Sequence, residues 1–206
     1  MNYGTYEYFL NGEPTGVVET VFIDFEPPDR RIIKSIRDAK PYNTTIMVET
    51  VSSLDRFDWF SVSFHKDNFK VNAIYKFDDD TFYFQRKINY EVVEEKTIQI
   101  PQNCVIFPLM RCFQGQTILQ VAENQQPTTV LVPDIQPTTK FEYLLKPTFD
   151  ERTAKQISES GKLRVFNYLS KHYDENSEFH LDENGLLVFY KFHQSDDKIW
   201  TIKLKT

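Results

Sequence analysis

This sequence predicts a mainly β fold: a single strongly curved antiparallel sheet, a half-open barrel of about a dozen strands, with a short central helix packed on its concave face. Three observations carry that expectation. Short alternating segments follow one another with turn signals about every eight to twelve residues. Aromatic residues make up 15% of the chain, with 18 Phe and 11 Tyr against 6 Gly, a composition that favours pleated strands. Only one stretch carries a clear helical spacing, QNCVIFPLMRCFQG at 102–115. Its Ile106, Leu109, Met110 and Phe113 recur at three- and four-residue intervals. Pro108 suits the first turn of a helix, so the expected helix runs from about 107 to 114 and stops at Gly115. So short a helix cannot stand alone in water and must cover an apolar face.

Taken in order, Tyr3 to Leu10 alternates weakly and ends at Asn11-Gly12, a tight hairpin signal. Gly16 to Phe25 follows, with Val17, Glu19, Val21 and Ile23 on one face, and EPPD at 26–29 closes it. Arg31 to Ile36 and Thr44 to Val51 are separated by Pro41-Tyr42-Asn43. Phe57 to Phe64 and Phe69 to Phe77 pair around His65-Lys66-Asp67-Asn68. Asp78-Asp79-Asp80 turns into Thr81 to Ile88, where Phe82, Phe84 and Arg86 share a face, and Asn89 to Ile100 completes the first meander. Beyond the helix, Thr117 to Ala122, Thr128 to Val132 and Lys140 to Leu145 read as short strands. Phe149 to Ser158 fits a capped helix or a strand. Leu163 to Leu169, Glu178 to Leu181, Leu186 to His193 and Ile199 to Leu204 end the chain, with Asn184-Gly185 and Ser195-Asp196-Asp197-Lys198 as turns. With no repeat and no linker, residues 1–206 form one domain.

Composition excludes several classes. A net charge of −6 argues against nucleic acid, which requires a basic face. No apolar run approaches membrane-spanning length, so an integral membrane protein is not expected. The N-terminus shows no basic segment followed by an apolar one, and two cysteines make no disulfide framework. A cytoplasmic protein with Cys104 and Cys112 free and mostly buried is the expectation.

Three stretches resemble the DUF3108-like branch of the fold that includes the LolA and LolB lipoprotein carriers. They are YEYFLNGEPTGVVETVFI at 6–23, CVIFPLMRCFQG at 104–115 and FHLDENGLLVFYKFHQSDDKIWTIKL at 179–204. The resemblance covers under a third of the chain and rests on strand and turn patterns. It implies a LolA-like half-barrel with a helical plug and a cavity for acyl chains. The signal peptide and lipobox cysteine of those carriers have no counterpart here.

Catalytic and metal signatures are sparse. His65, His172, His180 and His193 form no metalloprotease motif or zinc spacing. The hairpin turned at Asp182–Gly185 has room to set His180 opposite His193 as a ligand pair with Glu178 or Asp182; partly exposed strand histidines are the plainer reading. Neither cysteine has a histidine nearby in sequence, and the carboxylate pairs fall in turns. The candidate site residues are Arg86 and Arg111, each among apolar neighbours, with Met110, Phe113, Phe82, Phe84 and Trp59 as lining. An arginine in such surroundings either pairs with a carboxylate or anchors the head of an amphipathic ligand. The leading functional expectation is non-enzymatic binding of a lipid-like or other apolar small molecule, with no cofactor. A solid-core structural or protein-interaction domain is the alternative, and an enzyme with an aromatic-lined cleft is the third.

Overall fold

The computed structural model describes residues 2–27, 29–53, 56–135, 139–171, 173, 176–195 and 197–205. Pro28, His172 and Asp196, which figured in the turn and histidine readings, lie outside them. The first meander contains β1 (Asn2–Leu10), β2 (Glu13–Glu26), β3 (Arg30–Ala39) and β4 (Thr44–Ser53). It continues through β5 (Arg56–Lys66), β6 (Phe69–Asp78), β7 (Thr81–Ile88) and β8 (Glu91–Gln99). Then come β9 (Val105–Ile106), helix α1 (Arg111–Glu123) and β10 (Thr128–Pro133). The second meander holds β11 (Pro147–Ser160), β12 (Leu163–Leu169), β13 (Glu178–Leu181), β14 (Leu187–Ser195) and β15 (Lys198–Lys205).

All fifteen belong to one sheet in the order β8-β7-β6-β5-β4-β3-β2-β1-β15-β14-β13-β12-β11-β10-β9. The chain therefore starts at the middle, walks out to one edge, resumes at the other and walks back. Its first and last strands meet antiparallel at the centre, Tyr6 opposite Leu204 and Tyr8 opposite Ile202. The local turns fall where turn chemistry put them: Asn11 and Gly12 both have positive φ, 51° and 86°, as a tight hairpin turn requires.

Alternation sets the buried face. On β2 it is Val17, Glu19 and Val21; on β4, Ile46, Val48 and Thr50; on β7, Phe82, Phe84 and Arg86. One continuous core joins both meanders and α1, with Phe60 stacked on Tyr75 at 4.3 Å and Phe179 on Tyr190 at 4.8 Å. Leu145 and Lys146 reach back over the first meander. There Tyr75 Oη donates to the Leu145 carbonyl at 2.6 Å, and Lys146 bridges Glu94 at 3.4 Å.

Several expectations are corrected. The sheet is open, with β8 and β9 as its edges, and is not the strongly curved half-barrel of about a dozen strands. Nor is it wholly antiparallel. β9 and β10 pair in parallel across α1, a short strand–helix–strand crossover. The helix begins at Arg111, later than expected, and runs through Gly115 to Glu123, so 117–122 is helical. Its buried side is Phe113, Gln114, Thr117, Ile118 and Val121, a helical stripe whose last three members had been expected in a short strand. Gly115 does not stop the helix. A Cβ there would stand 2.0 Å from the Gly185 carbonyl oxygen, so glycine allows the helix to lie against the turn before β14. Residues Phe141–Tyr143 form a 3-10 turn where a strand was expected. The ambiguous 149–158 stretch lies within β11, where Asp150 and Arg152 face inward and pairing with β12 holds it extended.

Candidate functional site

Pro108, which was to open the helix, instead precedes a sharp turn. Met110 N–H donates to the Pro108 carbonyl at 2.8 Å around Leu109 at φ 69°, the signature of a γ-turn, a strained geometry for a side-chain-bearing residue. Chain direction then changes and α1 starts with no side-chain cap of its own and no acidic residue in its first turn. The cap arrives from the sheet. Glu19, fully buried on β2, accepts the Arg111 backbone N–H at 2.7 Å, where a negative charge also meets the positive end of the helix dipole.

Glu19 has further donors. Arg37 grips one carboxylate oxygen through Nε at 3.1 Å and Nη2 at 2.8 Å, with Tyr8 Oη donating to the same oxygen at 3.0 Å. Ser35 Oγ donates to the other oxygen at 3.2 Å. Such a carboxylate is satisfied on every side, the condition for carrying charge in a core.

Beside this knot opens a cleft of about 500 Å³ lined by Tyr8, Arg37, Arg111, Arg152, Tyr173 and Tyr190, with Phe107, Val132, Ile135, Phe192 and Trp200 among its apolar members. Arg152 pairs with Asp150 at 3.3 Å and donates to Tyr168 Oη at 2.7 Å. Arg111 is different. Its guanidinium donates to Gln114 Oε1 and to Tyr173 Oη, the latter at 3.2 Å, and lies over the Tyr190 ring at 4.8 Å. No carboxylate pairs with it among the described residues, and its buried Nε has no acceptor. Burial pushes the Tyr173 hydroxyl towards higher pKa, but the Arg111 guanidinium outweighs that and brings it below the usual tyrosine range.

The expected site residues do not converge. Phe82, Phe84 and Met110 are fully buried, and Phe113 packs edge-on against Phe57 at 6.0 Å. Arg86, also buried, approaches Glu94 at 3.6 Å on the β8 side, away from Arg111. Trp59 is half-buried and adjoins the fully buried Phe60 on β5, so it points to the opposite face. Side chains thus fill the space where a lipid-holding cavity was expected. His180 stands opposite Phe189, and His193 opposite Ile199, so the last hairpin does not pair the two histidines. Sequence reading passed over Glu19, Arg37, Arg152 and the three tyrosines. The available signal was Glu19 itself, a carboxylate between Val17 and Val21 on an apolar strand face, which demands a buried partner.

Both cysteines are free thiols and half-buried. Burial pushes the Cys104 thiol up to about 11 and raises that of Cys112 as well. Burial likewise raises Tyr6, Tyr8, Tyr75 and Tyr190, and holds Tyr168 at about 12. In the unfolded chain thiols titrate near 8.5 and phenols near 10, so the folded state keeps protons that the unfolded state releases. Their contribution to stability is complete below the unfolded values and is lost as pH rises through the folded ones. The expected outcome is a denaturant midpoint that falls steadily above about pH 9, with ionisation of Tyr6, Tyr8, Tyr75, Tyr168 and Tyr190 developing together with unfolding. A flat midpoint with full tyrosine ionisation of the folded protein would contradict this.

No family model matches the sequence, and no curated protein matches it. Among solved structures the chain is similar to a β-barrel-like protein of the domain of unknown function DUF1849 from Brucella abortus. The identity is 12%, the match covers 98% of this chain and 95% of that one, and the TM-score is 0.50. This is a likeness of fold, and it replaces the expected resemblance to the DUF3108-like and LolA/LolB-like carriers. In the present chain the ladder stays open at β8 and β9.

Proposed function

We propose that this chain is a non-enzymatic structural and protein-interaction domain built on a solid core. The observation that supports it is the filled face of the sheet: Phe60, Phe82, Phe84 and Met110 are fully buried, and Phe113 is close to it. Part of the outward surface is apolar as well. Phe25 is 71% exposed and Tyr3 43%, both at the mouth of a groove of about 350 Å³ that runs beside α1. Exposed aromatics of this size grouped at a groove are a feature of contact surfaces.

The test has two arms. Phe113→Ala is expected to cost about 3–5 kcal/mol in denaturant unfolding, the penalty for emptying a packed aromatic site. A fluorescent acyl-chain probe with no free carboxylate should show no saturable binding to the wild type. A loss under about 1 kcal/mol together with saturable probe binding would overturn the solid core. For the contact surface, Phe25→Ser should keep the fold and abolish a complex that the wild type forms in extracts of its natural host. An unchanged complex would remove the Phe25 groove from the interface.

A further inference from the structure

We propose that the cleft at the start of α1 is a binding site for a carboxylate carried on an apolar or aromatic group, as at the end of a partner chain; this rests on the interaction reading. Three guanidinium groups line the cleft, and among the described residues two carboxylates serve them. Glu19 is consumed by Arg37, Tyr8, Ser35 and the helix N-terminus. Asp150 is shared between Arg152 and Lys171, the latter at 3.5 Å. Arg111 is left with Gln114 and Tyr173, neither of them a carboxylate, and is held in place by the Tyr190 ring.

A guanidinium so placed is expensive to bury unless an anion completes it. Its Nη1 already serves Gln114 and Tyr173 and its Nε is sealed inside, so Nη2 is the nitrogen that offers a carboxylate a charge-assisted hydrogen bond. Two buried donors in the same cluster, Arg111 Nε and the fully buried Gln114 Nε2, lack acceptors. The Leu109 γ-turn adds a strained backbone at the cleft wall, the kind of feature that rigid binding sites maintain. Phe192 and Trp200 supply the apolar surface against which the rest of the ligand would lie.

Trp200 is a built-in reporter, because Trp59 is the only other tryptophan. In a Trp59→Phe background, fluorescence titration with N-acetylphenylalanine should be saturable, whereas N-acetylphenylalaninamide should bind at least about tenfold more weakly, the worth of one charge-assisted contact. Added salt should weaken the acid and leave the amide unaffected. Arg111→Met should bring the acid to the level of the amide. If that variant does not fold, the acid–amide comparison on the folded background protein decides alone. Equal binding of acid and amide, or no saturable change with either, overturns the proposal. Equal binding of acetate and N-acetylphenylalanine overturns its apolar part. These small probes need no partner, so the cleft is tested separately from the Phe25 surface, and either reading can fail without the other.

Discussion

Glu19→Ala is expected to lower the unfolding free energy by about 3–5 kcal/mol, the cost of removing one partner from a buried ion pair. The magnitude follows from what the carboxylate holds. Its loss leaves Arg37, whose side chain is only 13% exposed, without a counter-charge, and leaves the Arg111 backbone N–H and the Tyr8 hydroxyl unpaired. The start of α1 has no other cap, so the first helical turn should fray and the helix should loosen from β2. Glu19→Gln keeps volume and one acceptor, so its effect should be smaller. Arg37→Ala combined with Glu19→Ala should cost much less than the two separately, since each single change already breaks the same pair. Denaturant unfolding of the three variants checks this. A loss below about 1 kcal/mol for Glu19→Ala would show that the helix is held by packing alone.

Gly115→Ala is the second large expected effect, and its sign is the informative part. Judged by helix propensity, alanine in a helix interior is favoured over glycine by about 1 kcal/mol. Judged by space, the new Cβ would stand 2.0 Å from the Gly185 carbonyl oxygen and 3.0 Å from the Leu187 amide nitrogen. Both are backbone atoms, so no rotamer change relieves the contact and the helix must move away. Destabilisation of about 3 kcal/mol, the upper end for overpacking, is expected. Gln116→Ala, one residue along on the exposed side of the helix, should stay within about 0.5 kcal/mol of wild type. A Gly115→Ala protein as stable as wild type would show that α1 does not rest on this turn.

The structure bears out several strands of both meanders closely. Thr81–Ile88 and Leu163–Leu169 coincide with the alternating runs, and the inward set Phe82, Phe84, Arg86 is buried as the pattern implies. This was legible because alternation and turn residues act over a few neighbouring positions. The candidate site was much less legible. Arg111 was marked, but its setting is assembled from Tyr8, Glu19, Arg37, Tyr173 and Tyr190, which come from both halves of the chain. Arg86, an equally plausible arginine on sequence grounds, ended beside Glu94 instead.

The sequence by itself determined a β-rich chain of short hairpins and the face that its clearly alternating strands bury. It located a helix near 111 while reading 117–122 as a strand. Only the tertiary structure decided how these pieces join. It placed β1 against β15, set β9 parallel to β10, and left the sheet open at both edges. It also chose where the helix lies, because its cap is a carboxylate 92 residues away and its glycine is needed by a turn 70 positions later, at Gly185. Local hydrogen bonding is encoded by neighbours in the chain, whereas a buried charge network or a backbone close approach exists only once distant segments have packed.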